Sequence, residues 1–183
     1  MRMRLPAALG RLADRAVADA AGRRLVVLLD GGSGSGKSRL ADGLVAALAE
    51  RGVHDLQLVR LDDVYPGWQG LADAAAQVPG LIGGAGPGYW RWDWSGQHRT
   101  TRVDLDPAAA LLVEGCGALT RDSAPLATTR LWLAMNHDDR KARALGRDGE
   151  LFATHWDEWA AQERAHWRAN RPARLADVRL SWR

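Results

Sequence analysis

The sequence LVVLLDGGSGSGKS occupies residues 25–38, where a continuous apolar run passes directly into a glycine-rich loop. Gly31 and Gly36 bracket four small residues, so the backbone can curl around an anion with its N–H groups pointing inward. A helix is predicted from Lys37 to about residue 50, and the free N–H groups of its first turn would face the same anion. This spacing is typical of a phosphate-binding loop, so the chain is expected to bind a nucleoside triphosphate.

The side chains of this loop have distinct expected roles. Lys37 would reach the β- and γ-phosphates of ATP, and Ser38 would bind Mg²⁺. The chain contains 25 Lys and Arg residues but has lysine only here and at Lys141, which indicates a position that needs a compact point charge. The expected nucleotide-binding residues are Gly32, Ser33, Gly34, Ser35, Gly36, Lys37, Ser38 and Arg39.

The composition is that of an ordinary globular protein. The 183 residues are 46% hydrophobic and 26% charged, which suits one domain over residues 1–183. The net charge is +3 with the basic residues spread along the chain, which favours a small anionic ligand over nucleic acid. The single Cys116 excludes an internal disulfide, and no apolar stretch is long enough for a membrane span. We therefore expect a cytoplasmic monomer or homodimer.

Apolar runs alternate with helical patterns along the chain. Strands are predicted at residues 25–29, 56–61, 109–113, 130–135 and 176–182, with helices between them. This order predicts an α/β protein with the three-layer P-loop NTPase fold, in which helices flank a central parallel five-stranded sheet. We expect an N-terminal helix within residues 1–22, an acceptor-site insertion at residues 66–105 and a lid at residues 138–150.

Carboxylates follow several of the predicted strands. Because the carboxyl ends of parallel strands meet at one edge of a sheet, Asp30, Asp62, Asp63 and Glu114 should lie near the phosphate loop. Asp62 is the candidate base for the proton of an acceptor hydroxyl, with Asp63 as the alternative, and Glu114 is the candidate Mg²⁺ ligand. Asp62 could instead cap the following turn. Asp30 is expected to orient the loop.

Arg140, Arg143 and Arg147 recur at intervals of three and four residues, so they would share one face of a helix. Their guanidinium groups could close over the transferring phosphate and stabilise its developing charge, with Arg140 and Arg143 in the catalytic role. The alternative is a solvated surface face.

The sequence YWRWDW at residues 89–94 alternates in the manner of a β-strand. If it forms a ribbon over the pocket, Trp90, Trp92 and Trp94 would share one face. Stacked aromatic rings beside Asp93 and Arg99 would suit a flat substrate that forms hydrogen bonds, such as a nucleobase. The alternative is a tryptophan face packed on the core.

Taken together, residues 31–38, LDDVY at 61–65, Trp92-Asp93-Trp94, Val113-Glu114-Gly115 and the 140–147 arginines resemble the uridine kinase-like branch of P-loop kinases. The resemblance implies that Asp62 is the catalytic base, that Tyr65 lines the acceptor pocket, and that Trp92, Asp93 and Arg99 contact a nucleoside. LDDVYPGWQGL at residues 61–71 also resembles a group of small actinobacterial ATP-binding proteins.

These observations predict a Mg²⁺- and ATP-dependent kinase that phosphorylates a hydroxyl of a nucleoside-like molecule. The expected catalytic residues are Lys37, Asp62, Arg140 and Arg143, and the expected substrate contacts are Asp62, Tyr65, Trp92, Asp93, Arg99, Glu114 and Arg147. One alternative is a kinase for an antibiotic or a sugar acid, in which the tryptophans pack as core. Another is a nucleotide-dependent switch or ATPase that acts on a protein partner. No Asn-Lys-x-Asp motif is present, which argues against a GTPase.

Overall fold

The computed structural model describes residues 5–181, and it describes their side chains apart from those of residues 5–7, 148, 150 and 151. The helices are α1 Leu5–Ala20, α2 Lys37–Ala49, α3 Leu71–Gly83, α4 His137–Asn170 and α5 Pro172–Leu175, with short 3₁₀ helices at Leu61–Asp63 and Ala124–Leu126. The strands are β1 Val26–Gly31, β2 Gln57–Arg60, β3 Gly88–Asp93, β4 His98–Asp104, β5 Leu111–Glu114, β6 Thr129–Ala134 and β7 Val178–Ser181.

Five strands form the central sheet in the order β2-β5-β1-β6-β7, and every neighbouring pair is parallel. The predicted parallel five-stranded sheet is therefore confirmed. The predicted last strand runs to residue 182, which lies outside the described residues. Because β1 is central and the phosphate loop follows it, the loop lies at the middle of the sheet's carboxyl edge.

Helices cover both faces of the sheet, and every residue of β1 is therefore buried. Val27 and Leu29 pack in a cluster with α1 and α2, whereas Val26 and Leu28 pack in a second cluster with α3 and α4. The predicted N-terminal helix is observed as α1 and packs on α2, and residues 1–4 lie outside the described residues. Within the described range, no helix combines the length and apolarity needed to cross a bilayer.

Helix α4 contains a kink at Gly149, within the predicted lid. Gly149 has φ 67° and ψ −155°, which are not helical values, so two helical segments meet there. A positive φ is easily adopted by glycine, which explains why the change of direction falls at this position.

The remaining two strands form an antiparallel hairpin, and its register shifts between Trp90 and Trp92. Trp90 and Trp92 are two residues apart whereas their partners Arg102 and Arg99 are three apart, so the extra residue lies in β4 and the predicted shared face of the tryptophans stays a prediction. Tyr89 is buried in the core, Trp90 is 45% exposed, and Trp94 packs against the core from the end of the hairpin.

Candidate active site

The phosphate loop has the backbone conformation that its glycines allow. Gly34 and Gly36 have φ values of 77° and 93°, in the left-handed region that favours glycine. Gly36 is the N-cap of α2 and supplies no side-chain cap, so the N–H groups at the start of α2 have no side-chain acceptor from that position. Such a helix start, preceded by a curled glycine loop, fits a phosphate group.

Lys37 lies on the inner side of this loop and is 8% exposed. Its ammonium group donates to the Gly32 carbonyl at 3.3 Å and to the Cys116 sulfur at 3.5 Å. Burial disfavours the charged amine, but the surrounding groups, first Cys116 and then the carboxylates of Glu114, Asp62 and Glu163, raise the pKa of Lys37. Burial also raises the pKa of the Cys116 thiol, which therefore stays protonated. Lys37 thus presents a fixed positive charge beside the loop.

Glu114 ends β5 and is almost completely buried, at 2% exposure. Its carboxylate lies near the Ser38 hydroxyl, which lowers its pKa, and pairs with Arg60 at 3.2 Å. Burial raises the pKa of Glu114, while Lys37, Ser38 and Arg60 oppose that rise. Arg60 is held in turn by Asp42 at 2.5 Å. The adjacent hydroxyl and carboxylate oxygens are the hard ligands that Mg²⁺ prefers, so these residues fit a magnesium ion.

Asp62 and Asp63 have different surroundings although they are neighbours in one 3₁₀ helix. Asp62 lines the cavity that contains the phosphate loop, and its backbone carbonyl accepts the indole N–H of Trp94 at 2.9 Å. Asp63 instead pairs with Arg91 at 3.6 Å and does not line the cavity. Of the two candidate bases, the geometry therefore favours Asp62.

Asp30 is fully buried behind the loop. One of its carboxylate oxygens accepts from the Gly31 N–H at 2.6 Å. The other accepts from the N–H groups of Gly117 and Leu119, at 3.2 and 3.0 Å, and lies 3.1 Å from a ring nitrogen of His166. This side chain ties the phosphate loop to the segment after β5 and to α4, as expected for a residue that orients the loop.

Arg140 does not face the cavity, which corrects its predicted place over the transferring phosphate. Its guanidinium is buried beside Gly32, donates to the Ser33 carbonyl at 2.9 Å and pairs with Glu163 at 2.9 Å. Glu163 also accepts the Ser33 N–H at 2.6 Å. The Arg140–Glu163 pair therefore binds both the backbone N–H and the backbone carbonyl of Ser33. The guanidinium can come this close because Gly32 has no side chain.

Arg143 and Arg147 differ from Arg140 because both line the cavity. They lie on the part of α4 that precedes the kink at Gly149 and bring two further positive charges toward the phosphate loop. The three arginines therefore do not share one position: Arg143 and Arg147 line the cavity, whereas Arg140 binds the phosphate loop.

The cavity has a volume of about 660 Å³. One half is the phosphate loop and the arginines. The other half is aromatic, and we call it the aromatic wall. The lining residues are Ser33, Gly34, Gly36, Lys37, Ser38, Arg39, Asp62, Arg143 and Arg147, with Tyr65, Trp68, Trp94, Phe152 and Trp159 as the aromatic wall.

Trp68 is central to the aromatic wall. Its ring lies 4.7 Å from Trp94 and stacks on His155 at 4.3 Å and on Phe152 at 5.5 Å between centroids. Gln162 of α4 donates to the Trp68 carbonyl at 2.7 Å. The 66–105 insertion and the second half of α4 therefore enclose the cavity together. The sequence analysis missed Trp68, Phe152 and Trp159, and also Glu163, although the last three share a helical spacing with Trp156.

Four predicted substrate contacts lie outside the cavity lining: Trp92, Asp93, Arg99 and Glu114. The carboxylate of Asp93 accepts the Ser95 N–H at 2.9 Å and so closes the hairpin turn. These turn N–H groups, those of Gly96 and Ser95, hold the pKa of Asp93 below its ordinary value. Arg99 is exposed on β4, opposite Trp92. The cavity lining does not include Trp92, Asp93 or Arg99, and their interpretation as base contacts stays a prediction.

No family model and no curated protein matches the chain. Solved structures do. A candidate uridine kinase from Bacillus stearothermophilus is 20% identical with a TM-score of 0.69, and the match covers 97% of this chain and 100% of that one. A candidate fructose transport system kinase from Silicibacter sp. TM1040 is 21% identical with a TM-score of 0.65 over 100% of both chains.

A third match, the YGR205w protein, is 13% identical with a TM-score of 0.54, and the match covers 98% of this chain and 94% of the other. At these identities the likeness shows the fold alone. The predicted resemblance to P-loop kinases, and the α/β fold with a parallel sheet flanked by helices, are confirmed at that level.

Proposed function

We propose that this chain is an ATP-dependent kinase that transfers the γ-phosphoryl group to a hydroxyl of a small molecule. The observation that carries the proposal is the composition of one cavity: the phosphate loop with Lys37 forms one half, and Asp62 with the aromatic wall forms the other. A nucleotide and an acceptor could therefore be held side by side, which is the main requirement for phosphoryl transfer.

The proposed step needs a base, a charge clamp and a leaving group. The acceptor oxygen bonds to the γ-phosphorus, its proton passes to the Asp62 carboxylate, and the bond between that phosphorus and the β–γ bridging oxygen breaks to release ADP. Lys37 and Arg143 face the region where negative charge develops, and both are cationic at neutral pH. Asp62 is held in place because Trp94 binds its carbonyl.

Ser38 and Glu114 would hold Mg²⁺, since their oxygens are adjacent and one of them is a carboxylate. When bound, this ion neutralises phosphate charge and orients the phosphates. Arg60 keeps the Glu114 carboxylate in position and favours its ionised form. The Arg140–Glu163 pair acts on the loop itself rather than on the reacting phosphate.

ADP formation with and without acceptor tests this proposal. A kinase forms little ADP from ATP alone and much more when a hydroxyl compound from a broad panel is accepted. Steady ADP formation without any acceptor would instead indicate an ATPase or a nucleotide-dependent switch. Failure of the pure chain to bind ATP in calorimetry would contradict both. A Lys37→Ala variant serves as the control for contaminating activity.

A further inference from the structure

A second cavity, with a volume of about 300 Å³, is lined by the end of β6 and by α4 on both sides of its kink. Its lining shares no residue with that of the first cavity, which contains Lys37 and Asp62. The two cavities adjoin different parts of the phosphate loop, because Gly32 lines the second whereas Ser33 and Gly34 line the first. The proposed phosphoryl transfer makes no use of the second cavity.

One side of the second cavity is aromatic and apolar. Trp132 of β6 and Trp167 of α4 meet edge to face with 5.8 Å between their ring centroids, and Met135 and Ala160 lie beside them. Both tryptophans are only partly buried, so part of their ring surface remains accessible. A cavity of about 150 Å³ can hold benzene, so this larger one can admit a fused aromatic ring with a short side chain.

Arg140 brings a cationic group into the second cavity, next to the aromatic side. The centre of its guanidinium lies 5.3 Å from the Trp167 ring. Its hydrogen bonds to the Ser33 carbonyl and to Glu163 both use Nη1. Among the described residues, Nε and Nη2 of Arg140 have no acceptor, and neither atom is fully enclosed. Because Arg140 lines the second cavity and not the first, a ligand in the second cavity can reach these donors.

Arg164 adds a second positive charge at the same cavity. It is exposed on α4 and has no ion-pair partner in the part of the chain that the structure describes. Glu163 balances the charge of Arg140, but the described lining contains no Asp or Glu that could balance Arg164. This excess of one positive charge favours a ligand with a single negative charge, and guanidinium groups bind carboxylates through paired N–H donors.

We infer that the second cavity binds a small aromatic carboxylate. The ring packs on Trp132 and Trp167, and the carboxylate lies a short distance from the ring, between Arg140 and Arg164. A dianion such as a phosphate monoester suits the cavity less well, because the buried Glu163 carboxylate already pairs with Arg140. The site does not depend on the proposed function, since it shares no lining residue with the first cavity.

Calorimetry with indole-3-acetate tests this site, and indole-3-acetamide is the matched neutral probe. The Kd for indole-3-acetate should be at least about tenfold below that for the amide, because the two compounds have nearly the same shape and differ in charge. Equal affinity for the two probes overturns the inference. So does the absence of heat from indole-3-acetate at millimolar concentration.

Two surface variants of α4 test the part played by Arg164. Arg164→Gln should raise the Kd for indole-3-acetate by about tenfold, because it removes the uncompensated charge of the cavity. Arg168→Gln is the matched control, since Arg168 is also exposed on α4 but does not line the cavity. Both variants should fold as the parent does. An equal effect of the two substitutions would assign binding to the general positive charge of α4 and contradict the inference.

A non-hydrolysable ATP analogue decides which cavity the probe occupies. Indole-3-acetate should still bind to the chain saturated with the analogue and Mg²⁺, because the two cavity linings share no residue. Complete displacement of the probe by the analogue would place it in the first cavity and overturn the inference. If the chain does not bind the analogue, the proposed function fails, whereas the two probes and the Arg164→Gln variant still decide the inference.

Discussion

Glu163 accepts the backbone N–H of Ser33 at 2.6 Å, although the two residues lie 130 positions apart in the chain. The same carboxylate pairs with Arg140, and the Arg140 guanidinium donates a hydrogen bond to the carbonyl of Ser33. Both polar groups of this residue are therefore fixed from outside the phosphate loop. Because a binding site gains affinity when its groups are held in place before the ligand arrives, the pair should act on nucleotide affinity.

Glu163→Gln should weaken ATP binding by about tenfold and lower the thermal midpoint, because it leaves the Arg140 guanidinium buried without its counter-charge. Calorimetric Kd values for ATP and a thermal melt measure both effects. Asp157→Asn is the control on the same helix, since the Asp157 side chain is 95% exposed.

The double variant Arg140→Met with Glu163→Leu separates stability from positioning. Replacing a buried ion pair by apolar side chains is often neutral for stability, so this variant should melt near the parent. It should still bind ATP more weakly, because the Ser33 peptide loses its partners. Parent-like ATP affinity in the double variant would argue against the positioning role.

Asp62→Asn should lower kcat by roughly 10²–10⁴-fold and leave the Kd for ATP unchanged, because an amide cannot take the hydroxyl proton. Asp63→Asn is the matched control and should retain most activity, since Asp63 faces Arg91 rather than the cavity. Lys37→Ala should abolish turnover and also greatly weaken ATP binding. Equal loss of ATP affinity in Lys37→Ala and Asp62→Asn would count against Asp62 as the base.

The sheet and the phosphate loop could be predicted because the signals are local. β1 is buried on both faces, so an uninterrupted apolar run must precede the loop. The choice between Asp62 and Asp63 could not be made, because one 3₁₀ turn decides which of two adjacent carboxylates enters the cavity. Glu163 could not be assigned a role either, since its partners come from distant segments.

The tryptophan ribbon shows a different limit of the sequence. The alternation in YWRWDW correctly predicts a strand, but it does not reveal that the partner strand β4 carries an extra residue opposite Trp90–Trp92. A bulge adds one residue to one strand and leaves the local polarity pattern unchanged, so the sequence gives no sign of it. The aromatic half of the cavity is built from Tyr65, Trp68 and two residues of α4 together with Trp94 of the ribbon, whereas Trp90 and Trp92 do not line it.

Variants of the hairpin test the predicted base contacts. Arg99→Ala and Asp93→Asn should each leave the KM for any accepted substrate within about twofold of the parent, because neither side chain lines the cavity. Initial-rate kinetics with a hydroxyl compound that the parent accepts measure both variants. A tenfold rise in KM for Arg99→Ala would instead support the ribbon as the acceptor site.

Magnesium binding should depend on pH through Glu114. Burial raises the pKa of this carboxyl, so it protonates at a higher pH than an exposed glutamate, and Mg²⁺ affinity should fall as the pH drops through that raised value. Arg60→Gln should move the loss to still higher pH, because Arg60 favours the ionised form. The test is to measure the Mg²⁺ concentration that gives half the maximal rate, for the parent and for Arg60→Gln, between about pH 5 and 8.

The raised pKa of Glu114 also affects the free energy of unfolding, which should change with pH in the opposite direction to the Mg²⁺ affinity. Since the folded state binds the proton of Glu114 more tightly than the unfolded state, stability falls as the pH rises from the unfolded to the folded pKa, and the cost persists above it. Glu114→Gln should therefore melt at a higher temperature than the parent at neutral pH without Mg²⁺ while losing Mg²⁺ affinity. A lower melting temperature would contradict the dominance of burial at this site.

Two glycine substitutions should shift stability in opposite directions. At Gly34, where φ is +77°, an added Cβ would lie 2.1 Å from the Arg140 carbonyl oxygen, so Gly34→Ala should cost about 1–3 kcal/mol and weaken ATP binding. Gly80 lies on the exposed side of α3 with no atom within 4 Å of an added Cβ. Gly80→Ala should therefore stabilise the protein by about 0.5–1 kcal/mol, because alanine loses less backbone entropy in a helix. Denaturant unfolding measures both, and a Gly34→Ala variant with parent-like ATP affinity would show that the loop can move away from α4.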